Sequence, residues 1–347
     1  MPIAATAARY GRLFFVCRLR RFDNPAFTFS QYVVAFLVIP QQRRALYNID
    51  IHSFSIVIAK GATNMNTVTL NNGVVMPILG LGVFQIDDAS RCEQIVRDAL
   101  RAGYRRIDTA AAYGNEEAVG RAVKRSGIPR EDIFITTKVW VQDFGYEQTK
   151  RAVAASLEKL DMPYVDLVLL HQQLSDYYGS WRALQELCCQ GTIRAIGVSN
   201  FYPDRLADLC ENADILPAVN QIECHPFYQR AYDLEVMKKL HVAPMAWGPF
   251  AEGGHDIWNH PVLKSIAAKH GKTVAQVALR FTLQRGVIVI PKTVHKDRLI
   301  ENMDVWDFEL DSEDMSQIAA LDTGRTEIID HLNIDVVQFL NRHKIHE

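Results

Sequence analysis

Ile78-Leu79-Gly80-Leu81-Gly82-Val83-Phe84 decides between two ways of folding this chain. It is a short β-rich run, and an open, doubly wound sheet that grips a dinucleotide follows such a first strand with a third glycine opening a helix. None stands there, because Gly82 is followed by Val83, Phe84 and Gln85. Downstream, similar runs are each followed by a segment of helical period: Arg106–Thr109, Ile133–Val139, Val165–His171, Arg194–Ser199, Ala218–Cys224, Ala243–Pro249 and Val287–Pro291. Ala89–Ala102 and Glu147–Leu160 repeat their apolar residues at helical steps, the second stopping before Asp161 and Pro163. Strands alternating with helices require a parallel sheet, and eight such units in about 230 residues predict a closed (β/α)8 TIM barrel of the α/β class. Upstream, Thr67–Leu70 and Val74–Met76 flank Asn71-Asn72-Gly73, whose positive φ suits a tight turn, so a hairpin precedes the barrel. No linker interrupts Thr67–Leu321, which predicts one domain over residues 65–347 with a C-terminal tail lying over the barrel.

Composition narrows the partners. Of 347 residues, 48% are hydrophobic and 22% charged, enough for a sizeable core and unlike a disordered or fibrous chain. The net charge of −2 conceals an asymmetry: residues 1–64 hold seven Arg and one Lys against two Asp, so 30 cations face 38 carboxylates from Met65 onward. In that larger part cations alternate with acids on helical segments, which argues against a nucleic-acid groove. The longest apolar candidate, Tyr32–Pro40, is far short of the roughly 18 residues of a membrane span. Six cysteines, at positions 17, 92, 188, 189, 210 and 224, show neither paired zinc spacing nor a disulfide framework. They predict buried thiols in a reducing, cytoplasmic setting. Residues 1–64 read in three ways. Arg9–Arg21 has the charge bias of an organellar targeting segment, a secretory signal lacks its cleavage site, and the simplest reading starts the working protein at Met65.

A barrel of this kind carries its chemistry at the C-terminal mouth. The strands close, in order, on Phe84, Asp108, Lys138 with Trp140, His171, Ser199-Asn200, Gln221, Trp247 and Lys292. Singly, Asp108 reads as a helix cap, Lys138 as a surface charge and His171 as a satisfied structural histidine. Ending three adjacent strands together, they are poor core filling, because a buried unpaired charge is strongly penalised. Tyr113 follows Asp108 by five residues, in a loop able to fold over the mouth. A free phenol holds its proton to about pH 10. A Lys ammonium beside it favours the phenolate, and a carboxylate beyond the Lys holds the ammonium in place. Asp108, Lys138 and Tyr113 fit that scheme, with His171 donating to the same substrate oxygen.

An acid that protonates oxygen needs a partner that attacks carbon. No Ser or Cys nucleophile with an adjacent base is evident, which points to a cofactor hydride. Ser199, Asn200 and Gln221 offer groups to pin a carboxamide, and Trp247 a flat face for the ring. Ile290-Pro-Lys-Thr-Val-His-Lys-Asp-Arg298, running into Glu301-Asn302, places a hydroxyl and several cations at a helix start. That suits an adenosine phosphate and favours NADPH over NADH, the plain alternative being a solvated helix start.

Asp108-Thr-Ala-Ala-Ala-Tyr-Gly-Asn-Glu116, Thr137-Lys-Val-Trp140, Leu170-His171, Gly197-Val-Ser-Asn-Phe201, Asn220-Gln221 and Ile290-Pro-Lys-Thr293 together resemble the aldo-keto reductase superfamily over about Met65–Leu321. The hairpin and Gly80-Leu-Gly82 resemble its branch of 2,5-diketo-D-gluconate reductases and prostaglandin F synthase-like enzymes. The resemblance implies Tyr113 as general acid, Lys138 and Asp108 as its tuning pair, and His171 as substrate orienter. It implies NADPH extended across the mouth without a Rossmann fold, along Ser199, Asn200, Gln221, Trp247 and the Gly248 backbone to Lys292, Thr293, Arg298 and Asn302. Phe84, Trp140, His171 and the tail would shape the substrate pocket of a monomer that needs no metal. Two positions depart from the pattern: Gln172-Gln173 stands for Trp-Pro or Gln-Pro, and Gly248 for the serine of Trp-Ser-Pro.

The expected activity is NADPH-dependent reduction of aldehydes and ketones: small dicarbonyls, keto-sugars such as 2,5-diketo-D-gluconate, and sugar-derived or aromatic aldehydes. The alternative from another class is a cofactor-sensing or structural barrel with little turnover. A metal-dependent barrel hydrolase needs clustered ligands, whereas His171 stands alone at the strand ends and His225 and His255 each lack a second ligand at workable spacing.

Overall fold

The computed structural model describes residues 66–326 and 328–347, so the expectations for residues 1–64 lie outside the described residues. Strands β1 (Thr67–Thr69) and β2 (Val75–Pro77) pair antiparallel as the expected hairpin, with Gly73 at φ 83° in the turn. The turn amides reach outward: Asn71 Nδ2 donates to the carbonyls of Pro217 (2.8 Å) and His241 (3.1 Å), and Asn72 Nδ2 to that of Arg194 (3.0 Å). Those carbonyls lie where three barrel strands begin, so the hairpin caps the N-terminal end and leaves the other mouth open.

Eight strands run parallel in chain order: β3 (Leu81–Gly82), β4 (Arg106–Asp108), β5 (Phe134–Val139), β6 (Val165–Leu170), β7 (Ile193–Ser199), β8 (Val219–Glu223), β9 (Ala243–Trp247) and β10 (Ile288–Val289). A parallel bridge between Leu79 and Val289 joins the last strand to the first. There Gly80 N–H donates to the Val289 carbonyl (3.0 Å) and Val289 N–H to that of Ile78 (2.9 Å), closing a (β/α)8 barrel. The two glycines of the opening stretch serve this seam. A Cβ on Gly82 would stand 3.0 Å from the Ile290 carbonyl oxygen, and one on Gly80 3.0 Å from Arg106 Cγ. Side chains there would hold the strands apart.

One helix follows each of the first six barrel strands: α1 (Ala89–Arg101), α2 (Glu116–Ser126), α3 (Tyr146–Leu160), α4 (Tyr177–Cys189), α5 (Pro203–Asn212) and α6 (Ala231–Lys239). Two, α7 (Pro261–His270) and α8 (Val274–Gln284), separate β9 from β10, and α9 (Lys296–Met303) follows β10. α10 (Ser312–Ala319) precedes the tail, which carries α11 (Ile334–Arg342). In α1 the Asp88 carboxylate caps the Arg91 N–H at 2.6 Å, and Cys92, Ile95, Val96, Ala99 and Leu100 form one buried stripe. Each buried aliphatic side chain of such a stripe stabilises by about 2 kcal/mol. β6 is buried at every residue, as expected of a parallel strand roofed by helices. The expectation of uniformly buried thiols does not hold: Cys92 and Cys224 are buried, but Cys189, at the outer end of α4, is exposed.

Candidate active site

β4 and β5 end side by side and turn Asp108 and Lys138 inward, 1% and 0% exposed. Lys138 Nζ donates to Asp108 Oδ1, to the Thr109 carbonyl at 2.9 Å and to Tyr113 Oη at 3.2 Å, which uses all three of its N–H bonds. The other carboxylate oxygen of Asp108 accepts from Gln221 Nε2 at 2.8 Å. Tyr113 ends a short 3-10 turn, Ala111–Tyr113, closed by Gly114 at φ 66°. Asn115 anchors that turn: its Oδ1 accepts from the Thr109 hydroxyl (2.7 Å) and its Nδ2 donates to the Val83 carbonyl (2.9 Å).

Burial pushes the Tyr113 phenol above its ordinary value, and the charge and hydrogen bond of Lys138 oppose that rise without cancelling it. The sequence-based expectation of a lowered phenol weighed Lys138 alone and is corrected by this desolvation. The ring is only half-buried and borders the adjoining cavity. Burial also works against the Lys138 ammonium, but Asp108 and the phenol outweigh it and hold Lys138 charged.

His171 follows β6, its backbone N–H on the Val139 carbonyl at 3.0 Å. Burial, and then the Lys138 charge, hold its imidazole well below the ordinary range, so it is neutral at pH 7. The ring meets Trp140 edge-on at 5.1 Å and Tyr113 at 5.7 Å, and Nδ1 is buried without a partner among the described residues. Asn200, at φ 61°, donates from Nδ2 to the His171 carbonyl (3.1 Å) and accepts at Oδ1 from Trp247 Nε1 (2.9 Å). Ser199 Oγ donates to the Gln221 carbonyl at 3.0 Å. These bonds stitch the strand ends together and hold the Trp247 ring upright. Of the two departures, Gln173 Oε1 accepts from the Tyr202 N–H at 2.8 Å, and the buried Gln172 forms cavity wall. Gly248 sits at φ 59°, a conformation that strains a serine.

Phe84, Asp108, Tyr113, Trp140, His171, Ser199, Asn200, Gln221, Trp247, Gly248 and Lys292 border one cavity of about 880 Å³, with Lys138 behind the phenol. Thr293, Arg298 and Asn302 border a second of about 420 Å³. Phe250, Trp258 and Lys292 border both, so a continuous groove leads from Tyr113 to the start of α9. Sequence reasoning missed Phe250, Trp258 and Thr273 in this groove. The Gly253-Gly254 pair between the two aromatic residues was the available signal of a special loop.

The tail forms one wall, through Ile328, Ile329, Phe339, Leu340 and His343. Trp140 Nε1 donates to the His343 carbonyl at 2.8 Å, and the Thr326 hydroxyl to Glu223 Oε2 at 2.5 Å. His331 is buried in this tail, and burial, then Arg230, pull it down to about 4. The unfolded chain takes up a proton there near pH 6.5, which the folded chain refuses until about pH 4. Stability is therefore complete above the unfolded value and falls as pH drops, by about 2 kcal/mol at pH 5 from this residue. Urea midpoints at pH 7 and pH 5 check this, and His331→Phe should lose less over the same interval.

The sequence pattern of the Aldo/keto reductase family matches residues 78–323. Glyoxal reductase of Bacillus subtilis is 48% identical over 257 residues, covering 74% of this chain and 92% of that protein. Methylglyoxal reductase DkgA of Escherichia coli is 42% identical over 268 residues, covering 76% and 95%. The crystal structure of a Bombyx mori aldo-keto reductase in complex with NADP has a TM-score of 0.73 at 33% identity, covering 76% of this chain and 95% of that one. The matched span holds every strand end described above together with its barrel, and the chain belongs to the aldo/keto reductase family.

Proposed function

We propose that the protein uses NADPH to reduce aldehydes and ketones to alcohols. The observation that carries this reading is the buried series Asp108–Lys138–Tyr113, opening beside His171 onto a groove long enough for a dinucleotide. Bound NADPH supplies the hydride for the carbonyl carbon. Tyr113 supplies the proton for the oxygen, and Lys138 stabilises the phenolate that remains. Asp108 holds Lys138 in place, and neutral His171 donates a hydrogen bond that orients the carbonyl.

The residues present fit the dinucleotide. Trp247 offers a locked flat face, and Gln221, whose Nε2 is engaged by Asp108, keeps its carbonyl oxygen for a carboxamide N–H. Thr293, Arg298 and Asn302 border the far cavity, as an adenosine 2′-phosphate would need. Every residue in these roles lies in residues 65–347, the unit to which we assign the activity.

The substrate wall of Phe84, Trp140, Ile328, Ile329, Phe339 and Leu340 is apolar. Among the described residues bordering this cavity, Lys292 is the only Lys or Arg, and it stands where the cavity meets the far one. Small neutral dicarbonyls and aromatic aldehydes suit such a wall better than keto-sugar acids, whose carboxylate would find no cation there except Lys292, at the junction with the far cavity. The relatives named for glyoxal and methylglyoxal point the same way. The full-length protein should oxidise NADPH in the presence of methylglyoxal or nitrobenzaldehyde, and no oxidation across a broad carbonyl panel would sink the reading. Arg298→Ala should weaken NADPH by about tenfold or more, and NADH far less, because only NADPH carries the extra phosphate. Equal loss with both cofactors would misplace the 2′-phosphate.

A further inference from the structure

Arg106 is fully buried, and nothing in the mechanism above uses it. It precedes Asp108 by two residues on β4, so both side chains leave the same face of the strand toward the barrel interior. Its Nη1 donates to the Pro77 carbonyl at 3.1 Å and its Nη2 reaches the Met245 thioether at 2.8 Å, while Nε has no partner among the described residues. A carbonyl dipole and a thioether are neutral acceptors, and neither cancels a full charge. Leucine or methionine could fill the same space without the desolvation penalty of a buried cation. Burial lowers the guanidinium to about 10 and Asp108 pulls it back, so it stays charged at neutral pH.

The same sulfur accepts from Gln221 Nε2 at 2.9 Å, and that amide also donates to Asp108 Oδ2. Contacts therefore run without a break from Arg106 through Met245 and Gln221 to Asp108, Lys138 and Tyr113. We infer that Arg106 is a positioning residue for proton transfer: a second buried cation that lies behind Asp108, linked to it through Met245 and Gln221, and offsets part of the carboxylate charge that Lys138 faces. This rests on the role proposed above for Tyr113.

With Lys138 alone, Asp108 would cancel the ammonium and the phenolate would face a neutral pair. Two cations against one carboxylate favour the phenolate left after the proton has moved. The groups facing the phenol are Asp108 from β4, Lys138 from β5 and His171 beyond β6, and His171 is neutral.

The test is the pH dependence of kcat/KM for alcohol oxidation in the full-length protein and in Arg106→Gln, Arg106→Met and Arg106→Lys. Glutamine keeps a donor for the Pro77 carbonyl, so it carries the test if the methionine variant does not fold. Both neutral variants should move the controlling ionisation up by about one pH unit, a roughly tenfold tighter hold on the proton. Arg106→Lys should restore the wild-type profile. A glutamine profile that overlays the wild type would overturn the inference. Tyrosinate ultraviolet absorbance, with Tyr113→Phe as the baseline, reads the same ionisation without turnover. An inactive wild type would then count against the reductase reading alone, with Arg106 still under test.

Discussion

Tyr113→Phe should lower kcat/KM for methylglyoxal reduction by about 10²–10⁴-fold. The substitution deletes only the oxygen that Lys138 Nζ reaches at 3.2 Å. The ring, 4.9 Å from Phe84 and 4.8 Å from the Lys138 ammonium, keeps its packing. The proposed cofactor contacts lie at other strand ends, so NADPH affinity measured by fluorescence titration should stay close to wild type. The lost rate corresponds to roughly 3–5 kcal/mol of transition-state stabilisation, more than loss of one ordinary hydrogen bond explains. A near-normal rate would move the acid role to another group. His171 is a poor second candidate, because its buried neutral ring resists taking up a proton to give.

Lys138→Met should damage both activity and stability. It leaves the Asp108 carboxylate buried with only an amide hydrogen bond and the more distant Arg106, and stranding one member of such a pair costs about 3–5 kcal/mol. Urea unfolding should show that loss, and turnover should fall at least as far as in Tyr113→Phe, since the phenolate loses its stabilising charge. Adding Asp108→Asn removes the stranded carboxylate but leaves buried Arg106 without its one nearby anion among the described residues, so the double variant should regain only part of the stability and none of the activity. If Lys138→Met unfolds at the wild-type urea concentration, the ion pair is not the organising contact described above.

Much of the barrel was legible because its middle strands are buried on both faces. β5, β6 and β7 read as β-rich runs between helical segments, and their observed limits fall within one residue of those expected. β3 and β10 are shorter than their runs because their remaining bonds close the seam at Leu79, Gly80, Gly82 and Pro291. The candidate site was legible for a related reason. Parallel strands in register bring their C-terminal ends to one mouth, so the polar residues after each run converge without any knowledge of the loops.

What local pattern could not carry are contacts between distant parts of the chain. Trp140 meets His343 across 203 residues, and Gln221 meets Asp108 across 113. No periodicity encodes either, nor the apolar wall made by the tail. The residue types and their spacing were enough for the parallel barrel, the mouth that holds the chemistry and the family. The folded arrangement settles which groups are charged there: the direction of the Tyr113 phenol, the neutrality of His171 and the charge on buried Arg106. Spacing along a chain sets direction and periodicity, whereas a proton equilibrium depends on how much water and which charges surround the group, and those exist only once the barrel has closed.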